Sequence, residues 1–212
     1  MRADLDIISR WVQPGARVLD LGCGDGELLA FLRDHRQISG YGVEIDEAKI
    51  ISCIRAGVNV IHSDLEAGLA DFGDNTFDYV IMTQTLQAVL HTERLLEEML
   101  RVGREGIVTF PNFGHWRCRM QIAWAGHMPV VKVLPHAWYN TPNVHLFTIQ
   151  DFEALCQHKG IRIWQRAVVD NAHRANLGMR LAPNLLGELA LYRLGHEQNG
   201  IQAGHSDVFP TH

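Results

Sequence analysis

The run Arg17-Val18-Leu19-Asp20-Leu21 passes straight into Gly22-Cys23-Gly24-Asp25-Gly26, and no other stretch limits the fold so tightly. A short apolar strand followed by three glycines at alternate positions calls for a sharp turn with bare main chain at the bend. Glu27 to His35 then reads as a helix with Leu28, Leu29 and Leu32 on its inner face. Strand, glycine turn and helix in that order open a βαβ unit, whose parallel sheet is covered by helices on both faces.

The same rhythm runs through the first half of the chain. Before the turn, Leu5, Ile8 and Val12 give one face of an opening helix that Pro14-Gly15 stops. After it, Tyr41-Gly42-Val43 is a second strand ending at Glu44, Asp46 N-caps a helix, and Gly57 lies just past that helix. Val58 to Ile61 is a third strand ending near Asp64, and Phe77 to Met82 is the fourth. Thr92 is expected to cap a helix carrying Leu95, Leu96, Met99 and Leu100, and Gly106 to Phe110 is the fifth strand.

Beyond Pro111 the rhythm breaks. Residues 112–147 hold three of the five tryptophans, Trp116, Trp124 and Trp138, and no clean period. A connection this long is expected to be a lid or a binding segment. Thr148 with Asp151 predicts a capping box for a helix running to Gly160, and two late strands are expected near Ile161–Val169 and Glu188–Leu194. One domain over 1–195 and a polar tail over 196–212 follow from 212 residues.

The 19 Lys and Arg against 24 Asp and Glu give a net charge of −5, so nothing invites a phosphate backbone or an anionic membrane. Cys23, Cys53, Cys118 and Cys156 form no CxxC pair, which fits a reducing, cytoplasmic setting and excludes a disulfide framework or zinc ribbon. Met1 to Asp6 carries acids where a secretory signal needs an apolar run, and no segment approaches the ~20 apolar residues of a membrane span. No metal site is expected. His196-Glu197 starts like H-E-x-x-H, but Gly200 stands at the second histidine, and His136 and His145 are separated by loop without a cysteine or acid.

The glycine spacing is G-x-G-x-G rather than G-x-G-x-x-G, with Glu27 where a dinucleotide site needs its third glycine. An acid at that helix start repels a pyrophosphate and tolerates a cationic ligand. Glu44, twenty-two residues after Gly22, is placed to accept hydrogen bonds from vicinal ribose hydroxyls, and Asp64 is placed to meet an adenine amino group. Each acid alone also fits a solvated cap or loop. Three such features at successive strand ends point to a nucleoside-type ligand.

Asp20-x-Gly22-x-Gly24-x-Gly26 resembles the first motif of the class I S-adenosylmethionine-dependent methyltransferases. The resemblance implies a Rossmann-like, mostly parallel seven-stranded sheet with its last strand antiparallel, helices on both faces and a lid-like insertion after strand five. It also implies S-adenosyl-L-methionine or S-adenosyl-L-homocysteine as ligand. Asp20, Gly22, Cys23, Gly24 and Gly26 would face the methionine part, Glu44 the ribose and Asp64 with Leu65 the adenine, with Ile45 also in the cofactor site. Gln84 would line the same site. Thr83-Gln84-Thr85-Leu86 departs from the Asn/Asp-Pro-Pro-aromatic pattern of enzymes that methylate amides and amino bases, which argues against such acceptors.

Four runs carry a narrower resemblance. Met1 to Ile8, Asp20 to Leu28, Phe110-Pro111-Asn112-Phe113-Gly114-His115-Trp116 and Trp138-Tyr139-Asn140-Thr141-Pro142-Asn143-Val144-His145 together resemble the MetW family of methionine-biosynthesis proteins, over residues 1 to about 194. That family implies a methyltransferase-like subunit working with a homoserine O-acyltransferase as protein partner.

Two readings follow. Methyl transfer from a sulfonium needs donor and acceptor held close in a dry pocket, and a hydroxyl or ammonium acceptor also wants a base, for which His115, Tyr139 and His145 are the candidates. Each of the three also fits local packing. Direct acyl transfer is not expected, because Ser9, Ser39, Ser52, Ser63 and Ser206 sit in no G-x-S-x-G elbow and Cys23 reads as a small residue under the glycine turn. The other reading is a binding or regulatory subunit that senses the adenosyl ligand, and the family resemblance favours it.

Overall fold

The computed structural model describes residues 3–170 and 177–196. Met1, Arg2 and the polar tail from Glu197 onward lie outside the described residues. The chain builds α1 (Ala3–Trp11), β1 (Arg17–Leu21), α2 (Glu27–Arg36), β2 (Ser39–Glu44), α3 (Glu47–Arg55) and β3 (Val60–His62). There follow β4 (Phe77–Thr83), α4 (Thr92–Val102), β5 (Gly103–Pro111), α5 (Trp116–Met120), α6 (Ile149–His158), β6 (Arg162–Val169), α7 (Leu177–Leu181), α8 (Pro183–Leu186) and β7 (Leu189–Gly195).

The seven strands lie in one sheet in the order β3-β2-β1-β4-β5-β7-β6. β1 to β5 pair in parallel, whereas β7 runs antiparallel to both β5 and β6. This is the class I methyltransferase architecture that the glycine turn implied. The strand order reverses between β1 and β4, so the carboxyl ends of β1, β2 and β4 open onto the crevice where such sheets take ligands.

Alternation along the central strands divides the core. Leu19, Leu21, Val80, Met82, Val108 and Phe110 face α4 and α6. Val18, Tyr79, Ile81 and Ile107 face the layer built by α1 and α2. A strand buried on both faces reads as an unbroken apolar run, which is why β4 is so plain in the sequence.

Local signals mostly act as read. The Asp46 carboxylate accepts from the Ala48 and Lys49 amides, Gly57 takes φ +68 just past α3, and Thr148 and Asp151 close a reciprocal capping box. Thr92 differs. His91 occupies the N-cap position of α4, and the Thr92 hydroxyl inside the first turn donates instead to the Val89 and Leu86 carbonyls. The third strand is also shifted to Val60–His62, because Val58 is held by its amide on the Cys53 carbonyl as the chain leaves α3.

Residues 112–147 form neither strand nor long helix. α5 runs on into a π-helical turn, Gln121–Ala125, and Val131 bridges Leu134 before the chain returns to α6. Asn112 fixes both ends of the excursion. Its Oδ1 accepts from the Gly114 and Ile149 amides, while its Nδ2 donates to the Gly187 and Asn184 carbonyls. At the return, Phe147 packs on Phe110 with ring centroids 4.6 Å apart.

Candidate functional site

The loops after β1, β2, β3 and β4 surround a cavity of about 480 Å³. Gly22, Glu44, Ile45, Asp64, Leu65 and Gln84, all singled out in the sequence, line it together. Cys23, Gly24 and Gly26 belong to the adjoining turn, and Asp20 lies beneath it at the end of β1.

The turn is held by β2. Glu44 is buried, and its Oε2 accepts from the Gly24 amide at 2.9 Å while its Oε1 accepts from the amides of Ile45 and Asp46. A carboxylate offers about four acceptor positions, so three backbone donors leave room for a ligand hydroxyl. The Gly22 and Cys23 amides donate to the Val43 carbonyl, which completes the clamp between the first two strand ends. The Cys23 thiol sits 3.7 Å from that of Cys53, and burial pushes both thiols up, so neither is a ready nucleophile.

Asp20 is fully buried, and neither carboxylate oxygen has a hydrogen-bond partner. Burial, reinforced by the nearby Glu44 charge, pushes its pKa up to about 7. A buried unpartnered carboxylate under a glycine turn suits a ligand that brings positive charge, as an α-ammonium or a sulfonium does. Asp64 is exposed, N-caps the 3₁₀ turn Leu65–Ala67 through the Glu66 amide, and lines the cavity.

Gln84 takes φ +51, a left-handed conformation for a non-glycine residue, where β4 breaks into the loop. Its carbonyl is held by the Gln87 side-chain amide at 2.7 Å, and its amide donates to the Thr109 carbonyl. The neighbouring Thr85 side chain packs against Gly22 and lines the cavity.

Several lining residues had no signal of their own. Lys49 comes from the first turn of α3, and Ser63 and Glu66 flank Asp64. Pro142 and Asn143 arrive from the far end of the 112–147 excursion, pinned there because the amides of Val144 and His145 both donate to the Gln87 carbonyl. Those residues lie inside a run already noted for its composition, but only the fold brings them to β4.

The three base candidates stand elsewhere. His115 is buried, its Nδ1 accepting from the Arg117 amide and its Nε2 3.9 Å from Glu188, and burial lowers its pKa. His145 lines a separate hollow beside α4, with Nε2 at 3.1 Å from the Leu90 carbonyl. Tyr139 is exposed and meets the edge of Trp138. None of the three is among the residues lining the cavity. Among the described residues no three His, Cys, Asp or Glu side chains gather as a metal site, and no helix is long and apolar enough to cross a membrane.

The profile of the family described as "Methionine biosynthesis protein MetW" matches residues 2–194. The chain belongs to the MetW family. A MetW relative, the "Bifunctional methionine biosynthesis protein MetXA/MetW" of Rhodopirellula baltica, is 35% identical over 208 residues. That alignment takes in 94% of this chain and 33% of the relative, so the chain spans about a third of the relative's length. Among solved structures, a SAM dependent methyltransferase from Archaeoglobus fulgidus superposes with a TM-score of 0.65 at 16% identity, covering 91% of each chain. The [4+2]-cyclase SpnF superposes with a TM-score of 0.64 at 16% identity, covering 91% of this MetW chain and 80% of its own. Likenesses at that identity establish the class I methyltransferase fold, and a fold shared by a methyltransferase and a cyclase leaves the chemistry to the site.

Proposed function

We propose that this MetW-family chain is a cytoplasmic, methyltransferase-like subunit of methionine biosynthesis, a single domain over residues 1–195 that binds an adenosyl ligand and supports or regulates a homoserine O-acyltransferase. The observation that carries the reading is the Rhodopirellula baltica relative, in which MetXA and MetW share one name and one polypeptide. A fusion keeps two working partners at high effective concentration.

The residues fit S-adenosyl-L-methionine or S-adenosyl-L-homocysteine. Glu44 would accept from the ribose hydroxyls, Asp64 from the adenine amino group with Leu65 and Ile45 as apolar walls, and Asp20 with the turn Gly22 to Gly26 would take the methionine end. The sulfonium form carries an activated methyl group and the homocysteine form carries none. The MetXA/MetW relative favours a ligand-sensing subunit over methyl transfer to a small hydroxyl or ammonium acceptor, which is the second reading and for which His115, Tyr139 and His145 are the base candidates.

The test is an assay of the homoserine O-acyltransferase from the same organism, alone and with this chain, with and without S-adenosylmethionine. Activity that rises on adding the chain supports the subunit role, and a further response to the ligand makes it a sensor. No change in rate, together with no complex on a sizing column, overturns the reading in favour of a methyltransferase with its own acceptor.

A further inference from the structure

We propose that the excursion between β5 and α6 is the docking surface for the acyltransferase, presenting Trp124, Trp138 and Tyr139 to apolar pockets ringed by acidic side chains. This rests on the partner named above and says where on this chain that partner sits.

The excursion is built to hold a shape rather than to wander. Asn112 anchors its two ends, and Cys118 and Leu134 are buried within it. The Gln121 side chain closes the stretch to Val130 from both sides, its Oε1 accepting from the Val130 amide at 2.9 Å and its Nε2 donating to the Val130 carbonyl. From this fixed backbone Trp124, Trp138 and Tyr139 stand 79%, 73% and 75% exposed. Ile122, Met128 and Val130 are exposed along the same stretch. Tryptophan and tyrosine on a preorganised backbone are the residue types that dominate binding energy once desolvated, because little side-chain freedom is lost when they seat.

Charge selects the occupant. Residues 112–147 contain Arg117, Arg119 and Lys132 but none of the 24 Asp and Glu of a chain whose net charge is −5, and of the three Arg117 already faces Glu188 at 3.7 Å. A second copy of the chain would set this basic stretch against itself across a two-fold axis, which is unfavourable. A different protein with an acidic rim does not meet that penalty. The relative that joins MetXA to MetW names a different protein as the occupant to test.

The position also links partner to ligand. Pro142 and Asn143, three and four residues beyond Tyr139, line the adenosyl cavity, and the Gln87 carbonyl holds the next two amides. A partner seated on Trp138 and Tyr139 therefore bears on the wall of the cavity, and any change it makes in ligand affinity must be returned as a change in partner affinity.

The experiment measures the affinity of the purified full chain for its acyltransferase by calorimetry, for the wild type and for Trp124→Ala, Trp138→Ala, Lys132→Glu and, as a control on α3, Ile54→Ala. Trp124→Ala and Trp138→Ala are each expected to weaken the complex at least tenfold, and Lys132→Glu to weaken it at low salt with the difference shrinking at high salt. Ile54→Ala should leave it unchanged, and Trp124→Ala should leave S-adenosylmethionine affinity and the melting temperature unchanged. A wild-type complex that both tryptophan variants retain within twofold would overturn the docking surface and leave the partner reading standing. A wild type that forms no complex would overturn both. Tryptophan variants that only turn a self-associated chain into a monomer would assign the face to a second copy and also overturn the proposal.

Discussion

The Gly24 amide donates to Glu44 Oε2 across 2.9 Å, so the glycine turn after β1 is held in place by the last residue of β2. The same carboxylate accepts from the Ile45 and Asp46 amides at its other oxygen. Glu44 is thus a structural brace for the turn as well as a candidate ribose acceptor.

Replacing Glu44 separates those two roles. Glu44→Ala strands three backbone donors and is expected to lower stability by about 1–3 kcal/mol while weakening adenosyl binding by more than ~1 kcal/mol. Glu44→Gln keeps an acceptor for Ile45 and Asp46 but turns an amide N–H toward Gly24, so it should lose less stability and still bind the ligand more weakly. Chemical denaturation and titration calorimetry read the two effects independently. Unchanged affinity in both variants would place the ligand at another edge of the sheet.

Asp20 is expected to make ligand binding pH-dependent. Its folded pKa of about 7 lies above the ordinary 3.8, so folding holds the proton more tightly, and its favourable contribution is present at acid pH and lost as pH rises toward about 7. Asp20→Asn should therefore flatten the fall in stability expected of the unliganded wild type between about pH 4 and 7. A ligand bearing an ammonium or sulfonium favours the ionised form, with the buried Glu44 charge opposing it and the Cys23 thiol remaining neutral. Affinity for S-adenosylmethionine should rise with pH by up to about tenfold per unit below that pKa. Methylthioadenosine, which lacks the amino-acid end, should bind with little pH dependence, and a similar slope for both would remove Asp20 from the site.

How much of this was legible in the sequence depends on how local each cause is. The turn Gly22 to Gly26, the N-cap at Asp46 and the Thr148–Asp151 box declare themselves within a few residues, and the strand ends carrying Glu44 and Asp64 follow from apolar periodicity. Thr92 misled because it has a capping side chain one position too late, and the hydroxyl found the Val89 carbonyl instead. α7 and α8 are four or five residues each, too short for a helical period to show. Pro142 and Asn143 reach the cavity through the hold of Gln87 on the backbone more than fifty residues upstream, a relation no window of sequence contains.

Gly42 shows how such a distant relation constrains the site. It pairs with Asp20 in the sheet, and a Cβ built on it would lie 2.3 Å from the Cys23 Sγ and 2.8 Å from the Cys23 Cβ. Gly42 has an ordinary strand conformation, so alanine carries no backbone strain there and by propensity alone would stabilise the strand. The steric cost dominates: Cys23 must move, and with it the turn that Glu44 braces. Gly42→Ala is expected to cost about 1–3 kcal/mol of stability and to weaken adenosyl binding in step. Cys23→Gly added to Gly42→Ala removes the clash and should recover more than half of both losses, giving a favourable coupling in a double-mutant cycle read by denaturation and by ligand titration. Strictly additive losses would mean that Cys23 does not occupy the space Gly42 leaves open.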